Sequence, residues 1–97
     1  MKVYYREAAL VDLAKISSYL ESRSPSGARN VLRAIHTAID LISENPFSGR
    51  PSIDSAMRVK VVDRYSYKIF YTTSADTIEI LHIRHGARRP WPPELPT

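Results

Sequence analysis

Lys2 to Tyr5 is a short aromatic and β-branched run, and it predicts an opening strand. From Glu7 the spacing of apolar positions changes. Leu10, Leu13, Ile16 and Leu20 recur at helical intervals, with Asp12, Lys15 and Glu21 on the other side. Glu7 and Asp12 stand toward the N-terminal end of this helix, where its dipole favours negative charge.

Ser24-Pro25 predicts a second helix start, because serine caps free amides and proline at the first helical position loses no hydrogen bond. Ala28, Val31, Leu32, Ile35, Ile39 and Ile42 then form one apolar face. Asn45-Pro46 ends it, since proline drives its predecessor out of helical geometry. The short gap between the helices predicts an antiparallel hairpin. A loop follows from Phe47 to about Ala56.

Three strands are predicted after the loop: Met57 to Val62, Lys68 to Thr73, and Thr77 to His85. The breaks at Asp63 to Tyr67 and Ser74 to Asp76 imply antiparallel hairpins. Alternation in the last strand is imperfect. Strict alternation sets Ile78 and Ile80 with His82 and Arg84, but Leu81 and Ile83 with Glu79 and His85. Such a strand is buried on different faces at its two ends, or is bent. The tail from Gly86 is rich in proline and basic residues and predicts no regular element.

The expected fold is therefore α+β, in the order β-α-α-β-β-β, as one domain over 1–97. The helix hairpin packs on one face of a small, mainly antiparallel sheet. The other sheet face is expected to stay partly exposed, with Tyr, Arg and Lys side chains on it.

Composition narrows the class. The 97 residues suffice for one core, and 43% hydrophobic with 25% charged residues is ordinary globular usage. Fourteen Lys and Arg against ten Asp and Glu leave a formal charge of +4, which favours an acidic partner such as a nucleic acid, a ribosome or an acidic protein segment. The chain has no cysteine, so disulfides and thiolate metal sites are excluded. No apolar run approaches the ~20 residues that span a bilayer, and charges interrupt the start before a signal core forms. A cytoplasmic protein without membrane contact is expected.

The element order and several short patterns together resemble the RelE/ParE toxin superfamily. Val3-Tyr4-Tyr5 leads into Ala9-x-x-Asp12-Leu13-x-x-Ile16-x-x-Tyr19-Leu20, and the second helix closes on Leu41-x-x-x-Asn45-Pro46-x-x-Gly49-Arg50. Arg58-Val59, Tyr67-x-Ile69-x-Tyr71 and Ile80-Leu81-x-Ile83-x-His85-Gly86-x-Arg88 follow. The resemblance implies the toxin of a type II toxin–antitoxin module, silenced by a cognate antitoxin, as a homodimer or in a heterotetramer with it. The long helix hairpin looks closer to the ParE branch, whose members inhibit DNA gyrase by binding. The RelE branch instead cuts mRNA on the ribosome, and a remnant that only binds antitoxin is a third reading. Tyr67, Ile69 and Tyr71 are the candidate antitoxin contacts. No cofactor is implied.

Metal-free RNA cleavage needs a proton acceptor, a proton donor and positive charge around the phosphorane. His85 with Arg84 is the candidate catalytic pair for a RelE-like activity. Arg58, Lys60, Arg84, Arg88, Arg89 and Trp91 are candidates for contact with a target or nucleic acid, the indole by stacking on a base. Each has a plainer reading. His82 shares a face with apolar residues and suits a structural role. His82-x-x-His85 sends its rings to opposite faces of a regular strand, and with no third ligand no metal is expected. Arg58 and Lys60 suit an edge strand guarded by charge. His36 suits a helix surface. Gly49-Arg50 lacks the pattern of a phosphate loop and reads as a turn, from which Arg50 can brace the end of the second helix.

Overall fold

The computed structural model describes residues 1–53, 56–62 and 64–86. Its elements are β1 (Lys2–Tyr5), α1 (Glu7–Glu21), α2 (Pro25–Glu44), β2 (Arg50–Pro51), β3 (Arg58–Val62), β4 (Tyr67–Thr73) and β5 (Thr77–His85). The strands form one mixed sheet in the order β1-β5-β4-β3-β2, with β1 parallel to β5 and the other pairs antiparallel. The expected fold class holds. The two-residue β2 was not anticipated, because Arg50-Pro51 reads as loop. Pro51 lies at the sheet edge, where a missing amide costs little.

Local chemistry sets the helix boundaries. Ser24 Oγ accepts the amide of Gly27 at 3.1 Å with Pro25 opening the helix, and the Asn45 amide donates to the Leu41 carbonyl at 2.8 Å as α2 ends. α2 is strongly amphipathic and buries Ala28, Val31, Ile35, Ala38, Ile39 and Ile42. α1 is less so. Ala9 is its one buried residue, and Leu13, Ile16 and Leu20 pack partly buried against the core. Leu10, expected on that face, is 52% exposed, because Ala9 occupies the turn nearest the sheet.

The hairpin covers one sheet face. Val62, Tyr67, Ile69, Tyr71, Ile78, Ile80 and Ile83 meet the helices there. A smaller buried cluster of Met57, Val59, Phe70 and Leu81 occupies a separate position, so the second face is not simply the polar surface expected.

The broken alternation of β5 has a definite cause. Phe70 stands opposite His82 and Tyr71 opposite Ile80, which leaves Leu81 as an extra residue. One inserted residue shifts the phase of the strand. Ile78, Ile80 and Ile83 therefore all reach the main core, while Leu81 joins the second cluster.

Candidate functional site

The bulge lies where β5 loses one neighbour. β1 ends at Tyr5 opposite Ile80, and the Arg6 amide makes the last rung by donating to the Ile80 carbonyl at 2.9 Å. Beyond that point α1 runs beside the strand. Asp12 fills the gap: one carboxylate oxygen accepts the Ile83 amide at 3.0 Å and lies 2.8 Å from His82 Nδ1. Both side chains are largely buried, at 16% and 20% exposure. A buried edge amide without a partner would be costly, so Asp12 stands in for the missing strand.

Next to this contact the end of β5 and the outer half of α1 form a cleft of about 430 Å³. Lys15 and Tyr19 line it from α1, Tyr67 from β4, and Arg84 and His85 from β5. The His85 ring stands edge-on to Tyr67, with centroids 5.0 Å apart. Arg23 lies over the Tyr19 ring at 4.3 Å. Arg84 is directly across from Lys68 in the β4–β5 register. Like charges opposite one another disfavour the folded state. Among the described residues no carboxylate forms an ion pair with Lys15, Lys68 or Arg84.

The strand end is fixed from the other side by the β3–β4 turn. The Gly86 amide donates to the Ser66 carbonyl, and a Cβ on Gly86 would stand 2.8 Å from that oxygen. The turn itself holds Arg64 and Ser66 at φ of 79° and 59°, a region that side chains other than glycine seldom adopt.

Arg84 and His85 line one cleft, whereas Arg58 and Lys60 lie apart from it. Arg58 Nη1 donates to the Gly49 carbonyl at 2.6 Å and its guanidinium lies 4.6 Å from the Phe47 ring centre. It is Arg58, rather than Arg50, that braces the loop after α2. Lys60 lines a different groove, between α2 and β3. Arg88, Arg89 and Trp91 lie outside the described residues. Tyr67, Ile69 and Tyr71 are core residues with at most 7% exposure, because β4 is central and its helix-side positions lie beneath the hairpin. Ile69 and Tyr71 are fully covered, while the edge of Tyr67 still reaches the β5 cleft. His36 is exposed on α2, 3.4 Å from Asp40, as its position suggested.

Sequence reasoning gave Lys15, Tyr19 and Lys68 no part in the site, and did not assign Asp12 its contact with His82 and the Ile83 amide. The signal for Asp12 was its place beside Leu13 and Ile16, on the flank of α1 that meets the sheet.

The family model for the ParE toxin of type II toxin–antitoxin systems (parDE) matches residues 3–90. The chain belongs to this family. Two relatives of this ParE-family toxin agree. The putative toxin Y4kP of Sinorhizobium fredii is 39% identical over 87 residues, covering 90% of this chain and 88% of the relative. Toxin RelE2 of Caulobacter vibrioides is 32% identical over 87 residues, covering 90% and 97% respectively. Among solved structures, a chain of the chromosomal ParDE system from P. aeruginosa superposes with a TM-score of 0.75 at 23% identity, covering 88% of this chain and 95% of that one. That likeness shows the shared fold. The ParE-family chain is thus the toxin component of a type II module, a class whose partner is an antitoxin. No helix among its described residues is long and apolar enough to cross a membrane.

Proposed function

We propose that this toxin acts by binding DNA gyrase through the electropositive end of β5, rather than by cutting RNA. The observation that carries the reading is the engagement of both nearby histidines. His82 is held by Asp12, and His85 packs edge-on against Tyr67. A cleavage site calls for a proton-transfer group aimed at the 2′-hydroxyl of a bound strand. Here the imidazoles brace the protein, while Lys15, Lys68 and Arg84 supply charge for a macromolecular contact. The match to the ParE model supports the same branch.

Purified toxin should inhibit gyrase supercoiling at near-stoichiometric ratios, and His85→Ala should keep most of that inhibition. Absence of inhibition at stoichiometric excess sinks the gyrase reading.

A ribosome-dependent nuclease is the second reading, favoured by one feature: His85 and Arg84 line one cleft with Tyr19 and Tyr67. It predicts message cleavage in translating ribosomes that His85→Ala abolishes. Growth arrest on expression without antitoxin is expected under either reading, and its absence would leave an antitoxin-binding remnant.

A further inference from the structure

The cleft between α1 and the end of β5 has two kinds of lining. Ile16 and Leu20 from α1 and Ile83 from β5 are aliphatic, and the phenol rings of Tyr19 and Tyr67 stand with them. Tyr67 is nearly buried and meets His85 edge-on, so its ring is held in place while one edge reaches the cleft. Tyr19 is 48% exposed, and Arg23 over its ring places a further guanidinium beside the cleft. The volume of about 430 Å³ falls within the range of sites that enclose one small ligand.

Cations enter the same space from both elements. Lys15 belongs to α1 and Arg84 to β5. Among the described residues neither forms an ion pair with a carboxylate. Asp12, the one acid among the described lining residues, is already engaged. One of its oxygens accepts the Ile83 amide and meets His82 Nδ1, and its side chain is largely buried. Lys68 stands across the ladder from Arg84, so this strand end gathers positive charge at a cost to the fold. An anion seated between Lys15 and Arg84 offsets that repulsion.

We infer that this cleft binds a nucleotide, with the base against the tyrosine wall and the 5′-phosphate between Lys15 and Arg84. Aromatic side chains accept any base through its π face. Ammonium and guanidinium groups give phosphate charge-assisted hydrogen bonds, and a guanidinium can do so through two parallel donors. A peptide carboxylate would satisfy the cations but brings no ring to the wall, and inorganic phosphate leaves the aliphatic and aromatic lining bare. The same chemistry comes from two sources, a free mononucleotide or the 5′-phosphorylated end of a nucleic-acid strand. No bond is cut in this binding, in keeping with imidazoles that brace the protein. The inference stands on the cleft alone and is independent of gyrase as the target.

The test titrates adenosine 5′-monophosphate into the full-length toxin at physiological salt, read by calorimetry and by amide shifts in NMR spectra. Saturable binding should move the amides of residues 15–20 and 83–86 and leave those of the groove between α2 and β3 in place. Adenosine and inorganic phosphate should each bind at least tenfold more weakly than the nucleotide. Lys15→Gln with Arg84→Gln should lose affinity at least tenfold and Tyr19→Ala at least threefold. Arg29→Gln, exposed on α2 and outside the cleft, should change it less than twofold. Circular dichroism and thermal melts establish that each variant folds. A 5′-phosphorylated tetranucleotide that binds tenfold more tightly than the mononucleotide supports the proposal with a strand end as the source; equal or weaker binding supports it with the free nucleotide. Failure of both ligands to saturate at millimolar concentration, phosphate binding as tightly as the nucleotide, or full affinity in the folded double variant overturns the proposal. So does an Asp- and Glu-rich peptide that moves the same amides and binds at least as tightly, which would make the cleft a protein contact. These titrations contain no gyrase, so their outcome and that of the supercoiling assay stand apart.

Discussion

Asp12 holds the bulge of β5 in place through His82, with 2.8 Å between carboxylate and ring nitrogen and the Ile83 amide on the same oxygen at 3.0 Å. The contact joins α1 to the strand just where β1 stops. Asp12→Ala would leave a buried edge amide and an imidazole nitrogen to find other partners. A loss of about 1–3 kcal/mol is expected from an unsatisfied buried group. Asp12→Asn keeps an acceptor for Ile83 and should lose less. Urea unfolding measures both through the midpoint at constant slope. A change of only a few tenths of a kcal/mol in Asp12→Ala would mean that water replaces the carboxylate and that the strand needs no such anchor.

The turn after α2 depends on a phenol. Tyr71 Oη accepts the Gly49 amide at 2.9 Å and donates to the Pro46 carbonyl at 2.8 Å, from a fully buried ring. Gly49 is required by closeness. A Cβ there would stand 2.6 Å from Tyr71 Oη, 2.8 Å from its Cε1 and 2.9 Å from the Val59 carbonyl. Gly49→Ala should destabilise by about 1–3 kcal/mol, as overpacking does. Tyr71→Phe should lose a similar ~1–3 kcal/mol through the orphaned amide. The double variant should cost less than the sum, because removing the hydroxyl relieves the shortest clash. Strict additivity would show that the two residues do not act on one another.

Much of this architecture was legible because the signals are local. Ser24-Pro25 and Asn45-Pro46 bracket α2, and the apolar stripe between them names its buried face. The broken alternation of β5 was visible as a conflict between Ile80 and Ile83, although only pairing with β4 showed that Leu81 resolves it. What sequence could not place was long-range. Tyr67, Ile69 and Tyr71 look like a surface ladder until β4 is known to be central, and Arg58 looks like a target contact until the Gly49 carbonyl is found beside it. The site suffered most, since Lys15 and Lys68 come to Arg84 only through packing of α1 and register of β4.

Tyr5 gives the protein an alkaline dependence. Burial raises its phenol above the usual tyrosine value, and the negative charge of Asp40 adds to the shift. The folded state therefore keeps this proton longer than the unfolded chain. The associated stability is present below a pH of about 10 and is lost as pH rises through the folded value. Tyr5→Phe should unfold less steeply over that alkaline window and match the parent in its pH response near neutrality. Denaturation midpoints at stepped pH test the difference between the two proteins. Parallel profiles above pH 10 would exclude Tyr5 as their source.

The opposed cations Lys68 and Arg84 let the proposed target contact be tested against stability. They face one another across β4 and β5, and among the described residues neither has a carboxylate partner. Arg84→Glu turns a repulsive cross-strand pair into an attractive one, a change worth about 0.2–1 kcal/mol. For a domain of this size that corresponds to a rise of ~1–6 °C in Tm. If the cations are held together for a target, the more stable variant should be the weaker toxin, with growth arrest reduced or absent at equal expression. Lys68→Glu should behave in the same direction, and Lys68→Glu with Arg84→Glu should lose the stability gain because it restores like charges. Thermal melts and expression without antitoxin read the two effects separately. Full toxicity in a stabilised Arg84→Glu protein would remove this end of β5 from the target contact.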